Sequence, residues 1–315
     1  MKNKEPLILA VVVFFTLVTY YLVEPFAHSQ MHEHFESKGF AYSDLPEITK
    51  KGDVTRGKEL VMGAAACTGC HSITSQGLEA PMDAVTAVSA YGVNAPDLSD
   101  VGAVFDERFL NTHIRNPAHA LKVEHKFTPE SGKIHPMPAF YGAGGDIDQE
   151  VADIIAYLRS IAPKPDKLTP KMAFETACGR CHAMHYEKWT QIGTKPAFKR
   201  KQDELEFDTN VLDYQDSLKK YMGKLPPDLS IYIRSRGEHY IKTFMEDPQQ
   251  YLEGTSMPRV GLNAEAAEKV IEYLKDSGDA KRHERDSIGW NVMIYIIFFA
   301  IFALLWKKQV WRDLH

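Results

Sequence analysis

Two five-residue stretches constrain this chain more than any other feature: Cys67-Thr68-Gly69-Cys70-His71 and Cys178-Gly179-Arg180-Cys181-His182. Each reads C-x-x-C-H. A bare C-x-x-C also serves zinc binding and thiol–disulfide exchange. The histidine in the next position makes each stretch an attachment signature for c-type haem. The two thiols add across the porphyrin vinyl groups, and the adjacent histidine reaches the iron from one side. Together the motifs use all four cysteines, so none is left for a disulfide or a cysteine-rich zinc site. The expected cofactors are two covalently bound haem c groups, held by Cys67 and Cys70 and by Cys178 and Cys181, with His71 and His182 on the irons.

The 315 residues allow about two domains plus extras. Leu7 to Val23 is an apolar run preceded by Lys2 and Lys4. It is short for a membrane span and long for the core of a signal peptide. Glu24-Pro25-Phe26-Ala27 makes a poor cleavage site, so an uncleaved anchor is expected, with a cleaved signal peptide as the alternative. Ile288 to Trp306 is a second apolar run of spanning length. Trp290 and Trp306 sit near its ends, where amphipathic rings favour the membrane interface, and Lys307, Lys308 and Arg312 follow. Basic residues outside both runs put both termini in the cytoplasm and the middle of the chain on the exported side. The net charge of −5 splits into +3 at the ends and about −8 in the exported part, from −5 − 3. That charge could steer a basic partner or simply keep the chain soluble. No nucleic-acid partner is expected.

The exported part repeats an order of features. After His71 come Pro96-Asp97-Leu98-Ser99, Phe109-Leu110, Asn116-Pro117 and Met137-Pro138. After His182 come Pro227-Asp228-Leu229-Ser230, Phe244, Asp247-Pro248 and Met257-Pro258. Each half closes on a 3.6-residue apolar period: Val151, Ile154, Ile155 and Leu158 with Asp148 as the expected cap, then Ala267, Val270, Ile271 and Leu274 with Asn263 as the cap.

On these residues the chain resembles class I cytochrome c twice over, across roughly residues 50–162 and 165–278. The resemblance implies an all-α fold: two class I cytochrome c domains in tandem, flanked by an N-terminal and a C-terminal transmembrane helix. The expected divisions are 1–28 for the anchor, 29–163 and 164–284 for the haem domains, and 285–315 for the second span and its tail. Helices over about 54–65 and 170–176 would lead into the two motifs. In the family a loop proline carbonyl accepts the hydrogen bond of the ligating histidine. That role falls to Pro96 and to Pro226 or Pro227, and it fixes the imidazole tautomer. The family's axial methionine precedes the closing helix. Met137 stands 66 residues after His71 and Met257 75 after His182, each in a Met-Pro at that place. A thioether opposite histidine raises the potential and closes the iron to small ligands. Competing side chains are His113, His119, His125 and His135 in the first half, and Met184, His185, His239 and Met245 in the second.

The second half carries a closer resemblance. Leu225-Pro226-Pro227-Asp228-Leu229-Ser230, then Ile233-Arg234-Ser235-Arg236-Gly237-Glu238-His239-Tyr240, looks like cytochrome c1, the haem subunit of the quinol–cytochrome c reductase (cytochrome bc1) complex. The basic stretch at Lys281, Arg282 and Arg285, the C-terminal span and the long segment from Tyr186 to Gly223 fit that family. The chain departs from it by adding a complete haem domain and an N-terminal anchor. It is therefore similar to the dihaem form of that subunit in some bacterial complexes.

The resemblance implies a subunit of the bacterial inner membrane with its haem domains in the periplasm. It would take single electrons from the Rieske iron–sulfur protein, beside cytochrome b, and pass them to a soluble cytochrome c or a terminal oxidase. It would be an electron-transfer part of an oxidoreductase with no turnover site of its own, in a complex that is a dimer in the family and is seated in membrane lipid. The rivals are the dihaem subunit of a haem–copper oxidase, a dihaem peroxidase with one open iron, and a free-standing anchored shuttle.

Overall fold

A computed structural model of the chain describes residues 4–33 and 42–312. The basic Lys2 and the tail beyond Arg312, on which part of the expected topology rests, lie outside the described residues. The chain is mostly helical. Among the described residues the strands are a two-residue hairpin, Trp189–Thr190 against Gly193–Thr194.

In the first half the Val54–Met62 helix crosses the Ile147–Ile161 helix. Asp53 caps the first of these by accepting Arg56 N at 3.0 Å. Val61, Ile154 and Ile155 bury at the crossing. Gly57 is there because nothing larger fits: a β-carbon on it would run into the Asp153 carbonyl. Asp153 is itself fully buried, accepts Asp53 N at 2.7 Å and Gln149 Nε2 at 2.9 Å, and forms an ion pair with Arg56 at 2.5 Å. A buried carboxylate is tolerable only with such partners. The cap of the closing helix is Asp146 rather than Asp148: Asp146 accepts Asp148 N at 3.0 Å, while Asp148 is the second residue of the first turn and pairs with Arg115 at 2.6 Å. The leading helix also stops at Met62, short of residue 65.

The second half repeats this crossing with the Pro170–Ala177 and Ala264–Gly278 helices. Thr169 and Asn263 cap them through Met172 N at 3.2 Å and Ala266 N at 2.8 Å. The rings of Phe174 and Tyr273 stand 5.0 Å apart between them. Asn116 and Asp247, with the same backbone angles (φ −147°, ψ 82°), cap the short Pro117–Ala120 and Pro248–Tyr251 helices. Each half also carries an inserted helix, Ala84–Tyr91 and Lys201–Met222, and these pack on each other through Val88, Tyr214 and Leu218.

The halves share one apolar core and a seam. Residues 259–263 of the second half bond to the first: Arg259 N to Leu121 O (3.0 Å), Asp106 N to Gly261 O (2.9 Å) and Asn263 N to Val104 O (3.0 Å). The Tyr42 hydroxyl donates to Leu262 O at 2.7 Å. Arg259, 2% exposed, donates to Ala120 O at 2.9 Å and to Asp44 at 2.7 Å, and its guanidinium lies 5.5 Å from the centre of the Tyr42 ring.

Glu5–Ala27 and Arg282–Arg312 are helices apolar and long enough to cross a membrane, with mean hydropathies of 2.4 and 2.3. None of their apolar windows is buried against the rest of the chain. Lys307 meets Glu5 at 3.1 Å, so the two helices approach each other at those ends.

Candidate haem sites

The second C-x-x-C-H stretch follows its helix directly and the first after four residues, and both are wound so that the histidine amide bonds back to the first cysteine carbonyl: His71 N to Cys67 O at 3.0 Å and His182 N to Cys178 O at 2.9 Å. The four cysteines are free thiols. Burial pushes the Cys67 thiol up to about 11 and the Cys178 thiol up to about 12. Neither is the low-pKa thiolate of a redox dithiol.

Each histidine is held by one ring nitrogen. His71 Nδ1 lies 2.8 Å from Pro96 O, and His182 Nδ1 lies 2.8 Å from Pro227 O; Pro226 does not make this contact. A proton on Nδ1 leaves Nε2 as a lone-pair donor to a metal. Burial lowers both imidazole pKa values, against the opposing pull of the proline carbonyls, which favours the neutral ring a metal requires.

The loop behind each histidine is braced identically. Asp97 accepts Thr74 N at 3.1 Å and Ser99 N at 2.7 Å, and Ser99 Oγ accepts Ser75 N at 3.0 Å. Asp228 accepts His185 N at 2.9 Å and Ser230 N at 3.0 Å, and Ser230 Oγ accepts Tyr186 N at 3.2 Å. Leu98 N and Leu229 N bond to Ser72 O and Ala183 O, at 2.9 and 3.0 Å. The repeated Asp-Leu-Ser is thus a clamp that fixes the proline carbonyl against the histidine. Its recurrence was visible in the sequence, but its role was not.

Met137 and Met257 are both half-buried in loops ahead of the closing helices. Met137 is backed by His135, whose Nδ1 lies 3.0 Å from Met137 O. Gln249 Nε2 donates to Met257 O at 3.0 Å and to Thr255 O at 2.8 Å, pinning the second loop. Among the competing side chains, His119 pairs with Glu124 at 2.8 Å on the surface, His125 is exposed, and His185 is exposed beside Asp228. Met184 and Met245 are packed in the core, and His239 lies on the Glu238–Glu246 helix. His113 differs from these. It stacks on Phe109 with centroids 5.2 Å apart, its Nδ1 is sealed from solvent without a protein partner, and burial pulls its pKa down to about 3.

These residues fit haem c: at each site, two thiols stand beside a histidine with one ring nitrogen left for a metal. The buried His113 Nδ1 and Arg180 Nε lack a protein partner, as donors facing a prosthetic group would.

Comparison with known proteins agrees. The family model for cytochrome c matches residues 54–162. This stretch is a cytochrome c domain, which implies covalently bound haem c and an electron-transfer role. A cytochrome c1 from Allochromatium vinosum is 21% identical over 205 residues, covering 45% of this chain and 82% of that protein. A chain of a hyperthermophilic respiratory Complex III is 22% identical, covers 46% of this chain and 75% of its own length, and superposes with a TM-score of 0.35.

Proposed function

We propose that this chain is a membrane-anchored dihaem cytochrome c of the c1 type, the electron-relay subunit of a bacterial quinol–cytochrome c reductase complex. The observation that carries the reading is the duplicate histidine clamp: His71 on Pro96 and His182 on Pro227, both at 2.8 Å. A cytochrome c domain accounts for one clamp. A second clamp with the same Asp and Ser braces supports a second haem.

Cys67, Cys70, Cys178 and Cys181 would hold the two groups, and His71 and His182 would ligate the irons. Met137 and Met257 would supply the thioether ligands, a pairing that raises the potential. Bound there, haem c supplies a one-electron iron couple. The protein residues orient the ligands, exclude water and set the potentials. The halves divide at about residue 163, with the spans at either end.

The relative that is a cytochrome c1, and the Pro-Pro-Asp-Leu-Ser stretch, support docking of a Rieske head and cytochrome b on the second half. The first half then faces a soluble cytochrome c or an oxidase. The Lys307–Glu5 contact supports two antiparallel spans in the inner membrane, with both termini cytoplasmic and residues between the spans periplasmic.

The test is to purify the chain from membranes in mild detergent and count haem by pyridine haemochrome. Two c-type haems per chain, with cytochrome b and Rieske subunits in the same fraction, are expected. One haem per chain, or haem that extracts into acid acetone, refutes the dihaem assignment. A chain that purifies without cytochrome b and Rieske subunits refutes the complex.

A further inference from the structure

The second attachment loop does not stay within its own half. Arg180 lies between Gly179 and Cys181, two positions before His182. Its side chain crosses to the first half, where Nη1 donates to the Asn94 carbonyl at 2.7 Å. Asn94 stands two residues before Pro96, the proline that holds His71. Tyr214, from the inserted Lys201–Met222 helix, fixes the crossing. Its hydroxyl donates to Arg180 O at 2.9 Å. The Arg180–Asn94 hydrogen bond therefore ties the second attachment loop to the loop that orients His71. The Nε of Arg180 is sealed from solvent and has no protein acceptor.

We infer that Arg180, although it belongs to the second motif, serves the first haem: its guanidinium is a fixed cation beside the His71 loop that raises the first haem's reduction potential. The inference rests on the dihaem reading above. An arginine stays charged at every accessible pH. Ferric haem carries one more positive charge than ferrous haem, so a nearby fixed cation favours the reduced form. The geometry places the charge in the first half: Arg180 Nη1 lies 2.7 Å from Asn94 O, two residues from the proline that holds His71. Arg180 thereby makes transfer from the second haem to the first run downhill.

The test is a redox titration of the full chain followed by electron paramagnetic resonance. The two ferric signals are assigned with Met257→His, which moves only the second. Arg180→Gln keeps a donor for Asn94 and removes the charge. The equilibrium constant for moving an electron from the second haem to the first should fall about tenfold, equivalent to 59 mV for one electron. Arg180→Lys keeps the charge and should hold the constant within about threefold of wild type. Tyr214→Phe removes the bond to Arg180 O without removing charge and should leave the constant unchanged. If the second haem's potential falls as far as the first in Arg180→Gln, or neither moves, the inference is overturned. A tenfold fall in Tyr214→Phe also overturns it, because the effect would then be positional. Arg180→Leu provides a second uncharged chain should the glutamine variant mature poorly. All variants are read only after a haem count. A count of one in the wild-type chain defeats the dihaem reading, whereas a count of two with no shift defeats only this inference.

Discussion

Gly57→Ala tests the helix crossing that carries the first attachment loop. On an exposed helix this change gains about 1 kcal/mol from helix propensity. Here the added methyl would meet the Asp153 carbonyl and lie 2.9 Å from Tyr157 Cβ. Neither atom can swing aside, because one is backbone and the other is a side-chain root. The helices must part, at an overpacking cost of about 1–3 kcal/mol. Parting also stretches the hydrogen bond that Asp153 accepts from Asp53 N and its ion pair with Arg56, at 2.7 and 2.5 Å. A charged bond lost in such a site costs about 1.5–3 kcal/mol. The net loss is about 2–5 kcal/mol, or about 5–20 °C in Tm at about 2–4 °C per kcal/mol for a unit of this size. Circular dichroism at 222 nm on the detergent-solubilised full chain would follow it. The exposed neighbour change Lys58→Ala should stay within about 0.5 kcal/mol of wild type. If Gly57→Ala melts at or above the wild-type temperature, the close approach of these helices is wrong.

Two further outcomes follow from the clamp and the seam. Burial pushes the Asp97 carboxyl up, but hydrogen bonds from Ser72, Ser99 and Thr74 outweigh it and hold the pKa below the ordinary value. Its stabilising effect is therefore full above the unfolded value of about 3.9 and is lost as pH falls through the lower folded value. Acid titrations of stability should show that loss in wild type and a flatter profile in Asp97→Asn below about pH 4; identical profiles would remove Asp97 from the clamp. Arg259→Met deletes the bonds to Ala120 O and Asp44 and should cost about 3 kcal/mol. Hydrogen exchange at Gly261 to Asn263 should quicken in this variant, and wild-type exchange rates there would show that Arg259 does not hold the seam.

Periodicity carried most of the helical fold. The apolar spacing at Val151–Leu158 and Ala267–Leu274 marks two helices that the structure places over Ile147–Ile161 and Ala264–Gly278. The error at the first cap has a local cause. Asp146 and Asp148 are both plausible caps by type, and only the approach of Arg115 shows that Asp148 is engaged elsewhere. Spacing alone also cannot choose between adjacent prolines: Pro226 and Pro227 differ by which carbonyl the backbone turns towards His182, at 2.8 Å for Pro227. The sequence marked Asp97 and Asp228 by repetition but gave no hint of what their side chains bind, because the partners are backbone amides. Contacts between the halves were invisible. Arg180 reads as an unremarked filler of a motif, and its partner lies 86 residues away, beyond any local pattern.

The seam also dictates the timing of synthesis. Tyr42 waits for Leu262 and Asp44 for Arg259, separations of 220 and 215 residues. At about 5–20 residues per second, the first half is complete roughly 5–20 s before the strip that closes it. Its outer wall at Val104–Asp106 is left without neighbours for that time. The nascent chain thus passes through an interval in which Cys67 and Cys70 are already made and the domain around them is still open on one side. Arrival of Arg259 to Asn263 then ends it, making a late-made strip of the chain the lock on a much earlier one.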